Sequence, residues 1–326
     1  PSCGRASSPT RATTTPPPNS VRVKLTQPRL VAAFFLLAVL GGWTPFVLLL
    51  TANLPADEFR GFSAAAYYWH MFPPLLAALF LTGPVLKRPV REALGITFGF
   101  NRFWGLAWLT PTLLLLVGLG FGWLLSGVEP IHTLEQYIAY KRAGVSPDQL
   151  AQFETNLREH PPGHPFWLIV RGLPASLTIN LLPALALEAG FRGFLFREMP
   201  GGYWQRSLRI GVLFGLYMAP SAIFHFADAP LLGALAMFAF GVLLTPSLVY
   251  LRVRAGSVMA VALFWSMLIT LTRTALDLSG GAPSLLRPFF GAGGILAVAV
   301  LLGALAMHDR YLAEQRLMTE RARPAG

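Results

Sequence analysis

The sequence predicts an all-α, polytopic membrane protein, and three observations predict it. Of 326 residues, 54% are hydrophobic and 13% charged, against roughly 25% charged in an ordinary soluble domain. The charges sit mostly between long apolar runs, and those runs recur at the length a bilayer demands. A helix rises about 1.5 Å per residue and the hydrocarbon layer is roughly 30 Å thick, so about 20 apolar residues make one span. This composition excludes a cytosolic enzyme and a disordered chain. The single cysteine, Cys3, excludes a disulfide scaffold, a four-thiolate zinc site and a cysteine-held iron–sulfur cluster. The net charge of +11 follows the membrane edges rather than one face, so nucleic acid is not expected as a partner.

Eight segments meet the length test, near 30 to 54, 64 to 86, 103 to 125, 166 to 189, 208 to 226, 230 to 250, 256 to 276 and 288 to 307. The fifth is short and carries Pro220, which a membrane helix tolerates where its neighbours satisfy the freed backbone. Residues 1 to 28 are rich in Pro, Ser and Thr and nearly free of apolar groups, so they are expected to be a disordered tail. The first apolar run exceeds the 7 to 15 residues of a signal-peptide core and lacks a cleavage site after it, so it reads as a retained helix. Residues 308 to 326 form a second tail, and 29 to 307 the membrane domain between them. Nineteen Lys and Arg fall on the side shared by the two tails and six on the other. The positive-inside rule therefore places both termini in the cytoplasm, with the chain in the cell (inner or plasma) membrane.

The loop from 126 to 165 is the one large extramembrane stretch. QYIAYKRAG and SPDQLAQFETNLREH within it read as two short helices, the second capped by Ser146 with Pro147.

One stretch concentrates the chemistry. NLLPALALEAGFRGFLFREM, residues 180 to 199, places Glu188 four residues before Arg192, the favourable order for an ion pair on one helix face. An ionisable group at the membrane edge is costly unless paired, which marks a functional site. A helix-locking pair explains the same spacing.

LEAGFRGFL, from Leu187 to Leu195, resembles the first motif of the CPBP family, the Abi-like, CAAX-type and bacteriocin-processing intramembrane endopeptidases that include the Ras-converting enzymes. That motif has two adjacent glutamates, three further residues, then arginine and often glycine. The resemblance covers roughly residues 85 to 275 and implies a CAAX-protease-like bundle of about eight helices. By it, GVLFGLYMAPSAI matches the second motif, with Phe214 at the aromatic, Met218 at the histidine and Pro220 at the proline. GSVMAVALFWSMLIT matches the third, with Gly256 and Ser257 in place, Trp265 at the histidine and Ile269 at the asparagine.

In the family, the first glutamate and the second-motif histidine are implied to hold and deprotonate a water, and the third-motif pair to stabilise the oxyanion. Here Leu187, Met218, Trp265 and Ile269 stand at those four places. Leu and Ile carry no polar atom, a thioether is a weak acceptor, and indole N–H only donates. No intact catalytic residue is left. Glu188 and Arg192 are the retained motif residues. The expectation is an inactive protease homologue, a pseudoenzyme whose persisting cavity binds a peptide, a lipidated tail or a membrane-protein partner among membrane lipids, without a cofactor. One alternative is an active intramembrane protease with a rearranged site of Glu188 and His225. Another is a small-solute transporter, disfavoured by the scarcity of intramembrane polar residues.

The remaining polar positions read as structural. Arg171 and Asn180, nine apart on the fourth segment, fall on opposite helix faces; Arg171 snorkels and Asn180 bonds a neighbouring helix. His70, His225 and Asp228 lie near outer helix ends without a short metal-ligand spacing, so no metal is expected. Gly118, Gly120 and Gly122, like Gly291, Gly293 and Gly294, signal close helix packing. Trp43, Tyr67, Tyr68, Trp104 and Trp123 are expected at the membrane interfaces.

Overall fold

The computed structural model describes residues 27–319 except 53–55, 126, 143, 144, 146, 227 and 282. Most of the first tail, and Ser146, therefore lie outside the described residues. The first helix, α1, spans Gln27–Thr51 and so takes in the last two residues assigned to that tail. It is followed by α2 (Ala56–Trp69), α3 (Pro73–Phe80) and a π-helical turn, Leu81–Val85. A short α4 (Val90–Ala93) leads to α5 (Arg102–Leu124), whose start is capped by the Asn101 side chain accepting from the Phe103 N–H. The extramembrane loop folds into α6 (Leu134–Lys141) and α7 (Leu150–Glu159), the two helices expected there. Thr133 and Gln136 form a reciprocal capping box on α6, whereas α7 follows a 3₁₀ turn at Pro147–Gln149 without a side-chain cap. Arg158 joins the two with a forked bond to Glu135, and that bond holds the Glu135 carboxyl below its ordinary range.

The fourth expected span is two helices. α8 (Pro165–Leu177) and α9 (Leu181–Glu188) meet at a 62° bend. Pro183 explains the break, because its ring would clash with the Ile179 carbonyl and its missing N–H forfeits the bond a continuous helix needs there. Arg171 and Asn180 therefore do not lie on opposite faces of one helix, since Arg171 is on α8 and Asn180 is at the start of α9 beyond the bend. Asn180 does reach across to another helix, donating to the Thr270 hydroxyl at 2.8 Å.

Beyond α9 come a π-helical segment, Ala189–Leu195, the short α10 (Phe196–Glu198), then α11 (Tyr203–Met218), α12 (Ala222–His225), α13 (Pro230–Ala255), α14 (Val258–Leu278) and α15 (Ala292–Tyr311). Among the described residues, six helices or near-continuous runs are long and apolar enough to cross a membrane, and the bent pair makes a seventh. The segment expected near 256 to 276 forms α14, but its apolar stretch over Val258–Thr272 is shorter than a full span. The last expected span ended at 307, yet α15 runs to Tyr311. The chain then folds back: Asp309 accepts from the backbone N–H groups of Leu317 and Met318, and Trp204 donates to the Met318 carbonyl.

α5 packs between α14 and α15, α13 lies against α11 and α15, and α3 sits between α1 and the π-helical segment. The two-residue strands β1 (Glu129–Pro130) and β2 (Ser279–Gly280) pair antiparallel and tie the outer loop to the end of α14. Small residues set the closest crossings. A Cβ on Gly215 would lie 2.6 Å from the Phe238 carbonyl oxygen, and one on Gly293 would lie 2.7 Å from that of Gly118. Gly120, grouped with these from the sequence, has nothing within 4 Å. Trp104 also departs from expectation: it is buried and donates to the Ala255 carbonyl rather than anchoring at an interface. Gly215→Ala should therefore destabilise the fold by about 1–3 kcal/mol, while Gly120→Ala should be neutral or slightly stabilising; denaturant unfolding in micelles reads both.

Candidate functional site

The π-helical segment begins one residue after Glu188 and contains Arg192. Two glycines seat it. A Cβ on Gly190 would come 2.5 Å from Pro74 Cβ, and one on Gly193 2.7 Å from the Leu94 carbonyl oxygen. The glycine that follows Arg192 is thus required by backbone contact alone.

Glu188 and Arg192 are both fully buried, and Arg192 Nη1 donates to Glu188 Oε1 at 3.0 Å. Nη2 donates to the Thr245 hydroxyl at 2.8 Å, which in turn donates a hydrogen bond to the Gly241 carbonyl. The guanidinium lies 4.0 Å from the centre of the Phe214 ring, and Phe214 packs on Trp265 at 5.5 Å between centroids. Residues from all three motif-like stretches therefore meet at one place.

The polar groups there are incompletely satisfied. Glu188 Oε2, Arg192 Nε, Trp265 Nε1 and the nearby-in-sequence Ser247 Oγ are buried without a hydrogen-bond partner. The Trp265 indole faces the Glu188 carboxylate without closing a well-formed bond. Leu187, Met218 and Trp265 are at most 1% exposed and Ile269 is 9% exposed. The expected open cavity at these positions is thus replaced by close packing, because apolar side chains fill the space that polar groups and water would need.

The flanking signals have structural explanations too. Gly256 ends α13 in the left-handed conformation, φ +69°, which glycine adopts without steric cost. Ser257 caps α14 by accepting from the Met259 N–H, and its hydroxyl donates to the Thr97 carbonyl. Pro220 sits in the 3₁₀ turn Ala219–Ser221 that separates α11 from α12.

The structure does not bring His225 to Glu188. His225 packs against Tyr67 and Phe290, and its Nε2 is buried without a hydrogen-bond partner. The other two expected outer-end groups also part company. His70 stacks on Tyr217 at 4.1 Å with Nδ1 3.2 Å from the Gly42 carbonyl oxygen, while Asp228 accepts from the Ser284 backbone N–H and hydroxyl. Among the described residues no group of three His, Cys, Asp or Glu is placed to hold a metal.

Thr245 was not foreseen as part of the site. The signal was TPS, residues 245 to 247, inside an apolar helical run, where a hydroxyl and a proline are both out of place. No family model matches the chain, and no curated protein is significantly similar to it.

A fully buried ion pair resists the loss of one partner far more than the loss of both. Glu188→Gln should destabilise the protein by about 3–5 kcal/mol, and adding Arg192→Met should recover part of that loss. A double-mutant cycle by unfolding in micelles measures the coupling, and additive losses would show the two groups to be independent.

Proposed function

We propose that the chain is a non-hydrolytic relative of the CAAX-type intramembrane endopeptidases, a multi-pass membrane protein that acts by binding a membrane partner. The observation that carries this reading is the complete burial of Glu188 and Arg192 amid Leu187, Met218 and Trp265. Peptide hydrolysis needs a positioned water, a group to take its proton and donors for the oxyanion. Glu188 has the acceptor atoms, but one oxygen is engaged by Arg192 and the other is walled from solvent. Met218 and Trp265 supply no base, and Leu187 and Ile269 supply no polar atom at all.

A general base contributes about 10²- to 10⁴-fold and an oxyanion donor about 10²- to 10³-fold, and such losses do not simply add. Losing them together leaves no useful hydrolysis. What the scaffold still offers is apolar surface within the bilayer. A lateral cleft of about 460 Å³ opens between α1 and α2, lined by Leu48, Leu49, Phe62, Ala66 and Trp69 among others, almost entirely apolar. Such a cleft suits a lipidated tail or an apolar peptide segment, since apolar grooves take apolar ligands and a few polar groups fix their orientation.

The purified protein should leave membrane-linked peptides uncut, assayed beside a variant carrying Leu187→Glu, Met218→His, Trp265→His and Ile269→Asn. Cleavage by the variant alone supports the reading. Cleavage by the natural protein, abolished by Glu188→Gln, overturns it. Both ends are proposed to lie in the cytoplasm of a cell carrying the chain in its plasma or inner membrane, on the strength of the one-sided distribution of Lys and Arg. Reporter fusions at either end should both report the cytoplasm, and a periplasmic or extracellular signal from one would reject that topology.

A further inference from the structure

Among the described residues, several arginines packed into the bundle have a carboxylate partner. Arg88 pairs with Glu198 at 2.6 Å, Arg192 with Glu188 at 3.0 Å and Arg254 with Asp309 at 2.8 Å. Two half-buried arginines at one end of the bundle do not. Arg206 lies in the first turn of α11, and Arg252 in the last turn of α13. Their guanidinium carbons lie 4.8 Å and 4.3 Å from the centre of the same ring, Phe196, so the two like charges are no farther apart than the sum of those distances.

Each is held in place without being neutralised. Arg252 Nε donates to the Arg192 carbonyl at 2.5 Å, and its Nη2 lies against Gly95, where a Cβ would come within 2.6 Å of it. Arg206 makes no side-chain hydrogen bond or ion pair among the described residues, and its Nε is buried without a partner. Glu198, the acid nearest Arg206 in sequence, is committed to Arg88, and Asp309 is committed to Arg254 and two backbone N–H groups. Two guanidinium groups gathered on one ring repel each other, and an anion bound by both relieves that cost. Planar guanidinium forks match the oxygens of phosphate, which they bind in pairs.

We propose that Arg206 and Arg252, gathered on Phe196, form a binding site for a phosphate group. The inference is independent of the reading of the Glu188 site, because no residue of the site takes part in hydrolysis or its absence. Both arginines stand at helix ends, the level at which phospholipid headgroups meet a membrane protein. A lipid headgroup and a free phosphate share the required chemistry.

The test uses the full chain purified in phosphate-free detergent micelles. Native mass spectrometry compares retention of dioleoylphosphatidylglycerol with that of dioleoylglycerol, which has the same tails and no phosphate, and thermal unfolding is followed with and without inorganic phosphate. The site requires that a phosphate-bearing probe bind and that Arg206→Gln weaken it at least about tenfold, the scale of a hydrogen bond to a charged group. Arg209→Gln, on the same helix and engaged with the Pro200 carbonyl, should leave binding unchanged, and Arg206→Lys should fall between. Without an anion, Arg206→Gln and Arg209→Gln should both keep the natural protein's helical circular dichroism and cooperative unfolding, which separates a lost site from a lost fold. Selective retention of phosphatidylglycerol identifies the lipid headgroup as the source, and stabilisation by inorganic phosphate without lipid retention identifies a soluble anion. Binding unaffected by Arg206→Gln, equal weakening by Arg209→Gln, or no binding of either phosphate probe overturns the proposal.

Discussion

A single buried ion pair organises the centre of this protein. Glu188 and Arg192 are four residues apart, fully enclosed and directly bonded, and every helix nearby is arranged to make that enclosure tolerable. Charge in a low-dielectric interior is stable only when paired and hydrogen-bonded. The Thr245 hydroxyl accepts from the second Arg192 nitrogen, and the Phe214 face covers the guanidinium. The surrounding chain is correspondingly fixed. Gly190 and Gly193 let Pro74 and Leu94 approach the backbone, and the Arg192 carbonyl receives Arg252.

The π-helical winding from Ala189 to Leu195 has a bearing on how such a site is read. Single π-helical turns are uncommon and concentrate where side chains must be aimed for function. Here the winding aims an arginine at a carboxylate and a hydroxyl. The core around them includes Leu187 and Met218, whose side chains carry no acid–base chemistry. A partly satisfied polar cluster, with Glu188 Oε2, Arg192 Nε and Trp265 Nε1 unpartnered, costs stability relative to an apolar core. The pair ties the end of α9 to the π-helical segment, and Thr245 ties that segment to α13.

The second and third motif-like stretches show how structural and catalytic signals overlap. Gly256 and Ser257 make a corner, a left-handed helix end followed at once by a helix cap, and that alone demands glycine then serine. Pro220 likewise marks a turn. Phe214 and Trp265 are different, because they bring their rings to Arg192 and to each other.

From the sequence alone, helical class, the positions of the apolar segments, the two helices of the outer loop and the Glu188–Arg192 spacing were all legible, because each depends on local periodicity or on residues one turn apart. The break between α8 and α9 was legible in principle at Pro183, but apolar length masked it. Tertiary structure alone decided the rest. Thr245 reaches Arg192 across 53 residues, Trp104 turns inward to Ala255, His225 stays with Tyr67 and Phe290, and Arg206 meets Arg252 on Phe196. The physical reason is common to all four. Hydrophobicity sets which stretches enter the membrane, whereas the partner of a buried polar group is set by which helix faces it, and that depends on crossings no single stretch encodes.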